Sequence, residues 1–122
     1  MNRILVIEDN MAIRENTEEL LLLYNYQVIT ASNGAEGMQK ISQSYPDIVL
    51  CDIMMPELNG IEVLKRTKQN TATAKIPFIF LSAAVSNEFL SSALPYRPDA
   101  WLEKPFTERS LISTIQHVLK AA

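Results

Sequence analysis

The sequence predicts an α/β fold, a single doubly wound parallel sheet of five strands with helices on both faces. Two observations carry that expectation. Runs rich in apolar and β-branched residues alternate with segments of helical period along the whole chain, as in a string of βα units. The runs are also apolar at consecutive positions, as in Ile4-Leu5-Val6-Ile7 and Ile48-Val49-Leu50-Cys51, where a sheet with one wet face would alternate. Right-handed crossovers then leave few topologies open.

In chain order, Ile4 to Ile7 is the first strand, ended by Glu8-Asp9-Asn10. Met11 to about Leu23 reads as a helix, with Met11, Leu20, Leu23 and the neighbouring leucines as its apolar stripe and Arg14, Glu15, Glu18 and Glu19 on the other face. Gln27 to Ala31 is a second strand. Ser32-Asn33-Gly34 is a turn in which Ser32 or Asn33 caps the next helix, Ala35 to Ser44, and Pro46 follows its end. Asp47 to Cys51 is the third strand, closed by Asp52. Met54 to Gly60 is a loop marked by Pro56 and Gly60, and Ile61 to Gln69 is a helix. Asn70 to Lys75 is a polar connection. Pro77 to Leu81 is the fourth strand, Ser86 to Leu94 a short helix stopped by Pro95, and Ala100 to Leu102 a brief fifth strand. Thr107 caps a last helix running to about Lys120, with Leu111, Ile115, Val118 and Leu119 as its buried stripe.

The 122 residues are 48% hydrophobic and 20% charged, enough for one core and too few for two, so residues 1–122 are expected to form one domain. A formal net charge of −3 argues against sequence-independent nucleic-acid binding, which needs a basic surface. No apolar run approaches the length of a membrane span, and the N-terminus lacks the pattern of a signal peptide. The single cysteine, Cys51, rules out an internal disulfide and fits a reducing, cytoplasmic compartment. Cys51 reads as a core residue and His117 as a surface or packing residue.

In an open parallel sheet, ligands bind beyond the carboxyl ends of the strands. The first strand here ends in Glu8-Asp9, the third in Asp52 and the fourth in Ser82, and the fifth is followed at once by Lys104. Taken singly, each has an ordinary use: acids cap helices, serines fill turns and lysines lie in solvent. Together they place three carboxylates, a hydroxyl and one amine around a crevice. Two carboxylates ~5 Å apart repel by roughly 3 kcal/mol at an effective dielectric of about 20. Lys104 can neutralise only one of the three, so the cluster asks for a cation. Hard oxygen ligands with room for water suit Mg²⁺, which would also neutralise oxygens of an incoming phosphoryl group. Asp52 is then a candidate nucleophile, with Ser82 and Lys104 as partners for the phosphoryl oxygens.

These residues carry a resemblance. Ile4-Leu5-Val6-Ile7-Glu8-Asp9-Asn10, Pro46 to Pro56, Gly60, Leu81-Ser82-Ala83 and Lys104-Pro105-Phe106, in that order and spacing, are similar to the response regulator receiver family of two-component signalling. The match covers essentially the whole chain, and its specificity lies in the combination. The resemblance implies a flavodoxin-like sheet with strand order 2-1-3-4-5 and five flanking helices. It implies Asp52 as phosphoacceptor, Asp9 as direct Mg²⁺ ligand, Glu8 as an acid that binds the metal through water, and Met54 as the donor of a backbone carbonyl. Ser82 matches the switch hydroxyl, Trp101 the aromatic switch, and Lys104 the site lysine, with a cis bond to Pro105. The implied partners are a sensor histidine kinase or histidine phosphotransfer protein as donor, and a downstream protein or effector domain reached through the face of the fourth helix, fifth strand and fifth helix.

Two departures stand out. Trp101 is bulkier than the family's usual tyrosine or phenylalanine, and Arg97-Pro98 replaces a common Gly-Ala pair. The competing expectation is a degenerate receiver that binds a partner without phosphorylation, but that form normally lacks an acid, the acceptor or the lysine. A haloacid-dehalogenase-type phosphatase would need a second aspartate where Met54 stands. A flavodoxin-like redox protein would need a phosphate-binding loop where Glu8-Asp9-Asn10 would repel phosphate. The expected role is therefore that of a phosphoacceptor switch and not of a turnover enzyme.

Overall fold

The computed structural model describes residues 2–83 and 91–121. The strands are β1 (Arg3–Ile7), β2 (Gln27–Ala31), β3 (Ile48–Asp52), β4 (Phe78–Ser82) and β5 (Ala100–Glu103). The helices are α1 (Met11–Leu23), α2 (Gly34–Ser44), α3 (Gly60–Gln69), the short α4 (residues 91–93) and α5 (Glu108–Ala121). All strand pairs are parallel and the sheet order is β2-β1-β3-β4-β5, as expected. Most of the short helix expected over Ser86 to Leu94 lies outside the described residues.

Side-chain alternation explains why the strands are apolar throughout. Leu5, Ile7, Val49, Cys51, Phe78 and Phe80 face one side and pack with Ile41 of α2, Ile61, Val63 and Leu64 of α3, and Ala93. Their neighbours Ile4, Val6, Ile48, Leu50, Ile79 and Leu81 face the other side and pack with Leu21 of α1 and Leu111, Ile112, Ile115 and Val118 of α5. All of these strand side chains are 0% exposed. Removing one methylene-rich side chain, such as Ile4→Ala, would cost about 2–5 kcal/mol.

Asparagine starts all three helices that leave β1, β2 and β3. The side chains of Asn10, Asn33 and Asn59 accept from the N–H groups of Ile13, Glu36 and Glu62 at 3.0, 2.8 and 3.0 Å. Asn33, not Ser32, is the cap, and Thr107 caps α5 by accepting from Ser110 N–H at 3.0 Å.

The apolar stripe expected on α1 is different in the structure. Thr17 and Leu21, one turn apart, are its buried residues, with Leu20 partly buried. Met11 and Leu23 are 62% and 75% exposed. Four consecutive leucines cannot share one face when each residue turns the helix by about 100°. Leu21 reaches the sheet, and Leu23 points away. The Thr17 hydroxyl is tolerated in the interface because it donates to the Ile13 carbonyl at 2.8 Å.

Candidate functional site

The parallel register brings the strand ends side by side. Ile7 pairs with Cys51, Asp52 with Leu81, and Ser82 with Glu103, so the residues after β1, at the ends of β3 and β4, and after β5 share one edge. Glu8 is buried at 1% exposure, Asp52 is buried, and Asp9 is exposed at the rim. One carboxylate oxygen from each lies within 4.8 Å of the others. At that spacing the repulsion within each pair is roughly 3 kcal/mol at a dielectric of about 20.

Lys104 answers part of this charge. Its ammonium donates to the Glu8 carboxylate and also stands 3.5 Å from Asp52 Oδ2. The single cation is thus shared by the two buried acids instead of neutralising one alone. Among the described residues Asp9 has no ion pair. Burial raises the Glu8 carboxyl to about 7, and the Asp52 carboxylate adds to the rise against the Lys104 ammonium. The peptide bond between Lys104 and Pro105 is cis, as expected, and a second cis bond joins Leu94 to Pro95. Lys104 N–H donates to the Ser82 carbonyl at 2.6 Å, which ties the lysine loop to the end of β4.

Ser82 is buried at the end of β4. Met54 lies two residues beyond Asp52 with its side chain exposed, and Trp101, opposite Phe80 on the edge strand β5, is 48% exposed. Cys51 is a buried core residue, and burial pushes its thiol well above the usual range. His117 is exposed on α5, far along the chain from any acid of the cluster.

Two residues matter more than sequence reasoning allowed. Gly60, read from the sequence as a loop residue and as part of the family resemblance, starts α3 directly against the β3 end: an added Cβ would collide with the Asp52 carbonyl oxygen. Gly60 N–H donates to the Ile53 carbonyl at 2.9 Å. Arg14, assigned by periodicity to the solvent face of α1, is half-buried, and its guanidinium donates to the Glu8 carbonyl oxygen at 2.8 Å. No local pattern announces either contact. Beside Lys104, an open and largely apolar groove of about 670 Å³ runs between α1 and the Pro105-Phe106 turn, lined by Ile13, Thr17 and Phe106 among others.

The arrangement can hold a hard cation between acids, offer Asp52 as a nucleophile, and present an ammonium to the product's oxygens. Known proteins resemble this chain. The profile of the response regulator receiver domain matches residues 4–116. A transcriptional regulatory protein CpxR homolog of Haemophilus influenzae is 37% identical over 120 residues, covering 98% of this chain and 51% of the relative. Protein PilG of Pseudomonas aeruginosa is 33% identical over 114 residues, covering 93% of this chain and 84% of PilG. The structure of chemotaxis protein CheY4 of Vibrio cholerae superposes with a TM-score of 0.88 at 27% identity, over 97% of this chain and 98% of the other. The chain spans about half the length of the first of these relatives.

Proposed function

This chain belongs to the response regulator receiver family, whose members are switch-type phosphoacceptors in two-component phosphorelays, and we propose that within it Asp52 is the residue that takes the phosphoryl group. The observation that supports this reading best is the charge imbalance at the sheet edge, where three acids gather around one ammonium. Such an excess of negative charge suits a bound cation.

In the proposed mechanism a carboxylate oxygen of Asp52 attacks phosphorus. The new O–P bond forms as the bond from phosphorus to the donor's leaving atom breaks, and the leaving group departs with the electron pair. Lys104, already 3.5 Å from Asp52, follows the charge to a phosphoryl oxygen. Ser82, one position beyond the Asp52–Leu81 pair, is the hydroxyl that takes another. The donor set is all hard oxygen with one exposed member, which fits Mg²⁺ held by Asp9, Asp52 and the Met54 carbonyl, with Glu8 through water. When bound, the ion supplies charge neutralisation at the phosphoryl oxygens.

Trp101 is the proposed aromatic switch on the edge strand, where its ring is 48% exposed. We assign residues 1–122 to one receiver unit, with a sensor histidine kinase or histidine phosphotransfer protein as donor and a downstream protein or effector domain as target. No described helix is long and apolar enough to cross a membrane, and a cytoplasmic site of action fits the free, buried Cys51. The chain acts as a switch that assists its own phosphorylation and dephosphorylation. Among the described residues no structural feature favours the degenerate alternative.

The test is incubation with a small acyl phosphate, with Mg²⁺ or with chelator, followed by intact mass. One phosphoryl group is expected on the native chain with Mg²⁺, and none on Asp52→Asn or with chelator. Labelling of the Asp52→Asn variant at the native rate would move the acceptor elsewhere. No labelling of the folded native chain would favour a phosphorylation-independent binding module.

A further inference from the structure

The Arg14 guanidinium donates to a main-chain carbonyl, that of Glu8, at 2.8 Å, although an acidic cluster lies next to it. Among the described residues it makes no ion pair with an acid. The carbonyl it holds opens the Glu8-Asp9 peptide, the one link between the buried acid and the exposed acid of the cluster. The rest of that segment is pinned from other directions. Glu8 N–H donates to the Ala31 carbonyl at 3.0 Å, Asn10 N–H approaches the Glu8 carboxylate at 3.3 Å, and the Asn10 side chain accepts from Ile13 N–H. Arg14 N–H itself donates to the Asn10 carbonyl at 2.9 Å, so the same residue anchors both ends of the turn that carries Asp9. Among the described residues the Asp9 side chain has no such restraint, so its direction depends on the peptide before it.

We propose that Arg14 is a positioning residue for the cation site: by holding the Glu8 carbonyl it orients the peptide that aims Asp9 at the space shared with Glu8 and Asp52. The inference rests on the assignment of those three acids as the ligand set. It has a sign opposite to simple electrostatics. A nearby positive charge repels Mg²⁺, so deleting Arg14 for its charge alone would tighten binding. Deleting a group that orients a ligand weakens binding, by about tenfold in metal sites where the outer hydrogen bond is removed.

The experiment is a thermal melt of the full chain across a Mg²⁺ titration, for the native protein, Arg14→Met and Arg14→Lys. Methionine keeps the aliphatic stem and removes every donor, whereas lysine keeps one donor. For Arg14→Met the Mg²⁺ concentration at half-maximal stabilisation should rise about tenfold. For Arg14→Lys it should return most of the way to the native value. Labelling by an acyl phosphate should need about tenfold more Mg²⁺ in Arg14→Met than in the native chain, in step with the melts. A half-maximal concentration that is unchanged or lower in Arg14→Met, even with a lower melting temperature in chelator, would overturn the proposal and leave Arg14 a structural residue. Should Arg14→Met fail to fold, Arg14→Gln, too short to reach the carbonyl, carries the same expectation. A native protein whose melting temperature ignores Mg²⁺ would sink the cation site itself, a result visible before any Arg14 variant is made.

Discussion

The two edges of the sheet hold carboxylates in contrasting ways. At the amino edge, each acid is matched. Asp47 accepts from Arg3 N–H at 2.6 Å, and Asp99 accepts from Phe78 N–H at 2.7 Å with the Lys68 ammonium 3.8 Å away. Lys68 also donates to the carbonyls of Ala74 and Ile76 at 3.1 and 2.7 Å, so this cluster staples the approaches to β4 and β5. At the carboxyl edge one lysine serves two buried acids, and a third acid stands beside them. A staple closes its own charge, whereas a site leaves some unmet for a ligand. The number of acids alone would not have separated the two edges.

That contrast breaks if both edges respond alike. The largest expected effect is at the carboxyl edge: Asp9→Asn should abolish the rise in melting temperature caused by Mg²⁺, with a loss in affinity of at least about tenfold. A native-like response in that variant would remove Asp9 from the site. Next comes the amino edge. Asp99→Ala should cost about 1–3 kcal/mol in urea unfolding, because it strips a buried backbone N–H of its acceptor. Its Mg²⁺ response and its labelling should stay native, and a change in either would mean that the edges are coupled.

The smallest effect sharpens the comparison through pH. The Glu8 carboxyl is raised to about 7 in the folded chain by burial, above its usual value of 4.5. The folded state therefore holds a proton that the unfolded state has released. The stability from this group is fully present below pH 4.5 and is lost as pH rises to about 7. With chelator, the melting temperature should slope downward across that window. Mg²⁺, which needs the ionised acids, should reduce the slope. A slope unaffected by Mg²⁺ would separate Glu8 from the cation.

Much of this was legible in one dimension. Consecutive apolar residues at Ile4 to Ile7 and Ile48 to Cys51 required a sheet covered on both faces, and the chain then had to bring Glu8, Asp9, Asp52, Ser82 and Lys104 to one edge. That inference needs only strand period and chain direction, both of which a sequence carries. Other features were settled by three-dimensional packing. Which of four leucines on α1 faces the sheet depends on how the helix is rotated against its neighbours, and Leu21, not Leu23, makes the contact. Lys104 divides its ammonium between Glu8 and Asp52, 96 and 52 residues away respectively, through a turn whose path no local pattern specifies. Arg14 bonds to a backbone carbonyl, an acceptor present at every position and therefore without signature. Periodicity states which residues share a face. Distances between side chains from separate elements depend on rotation, loop path and rotamer, which are decided only when the whole core packs at once.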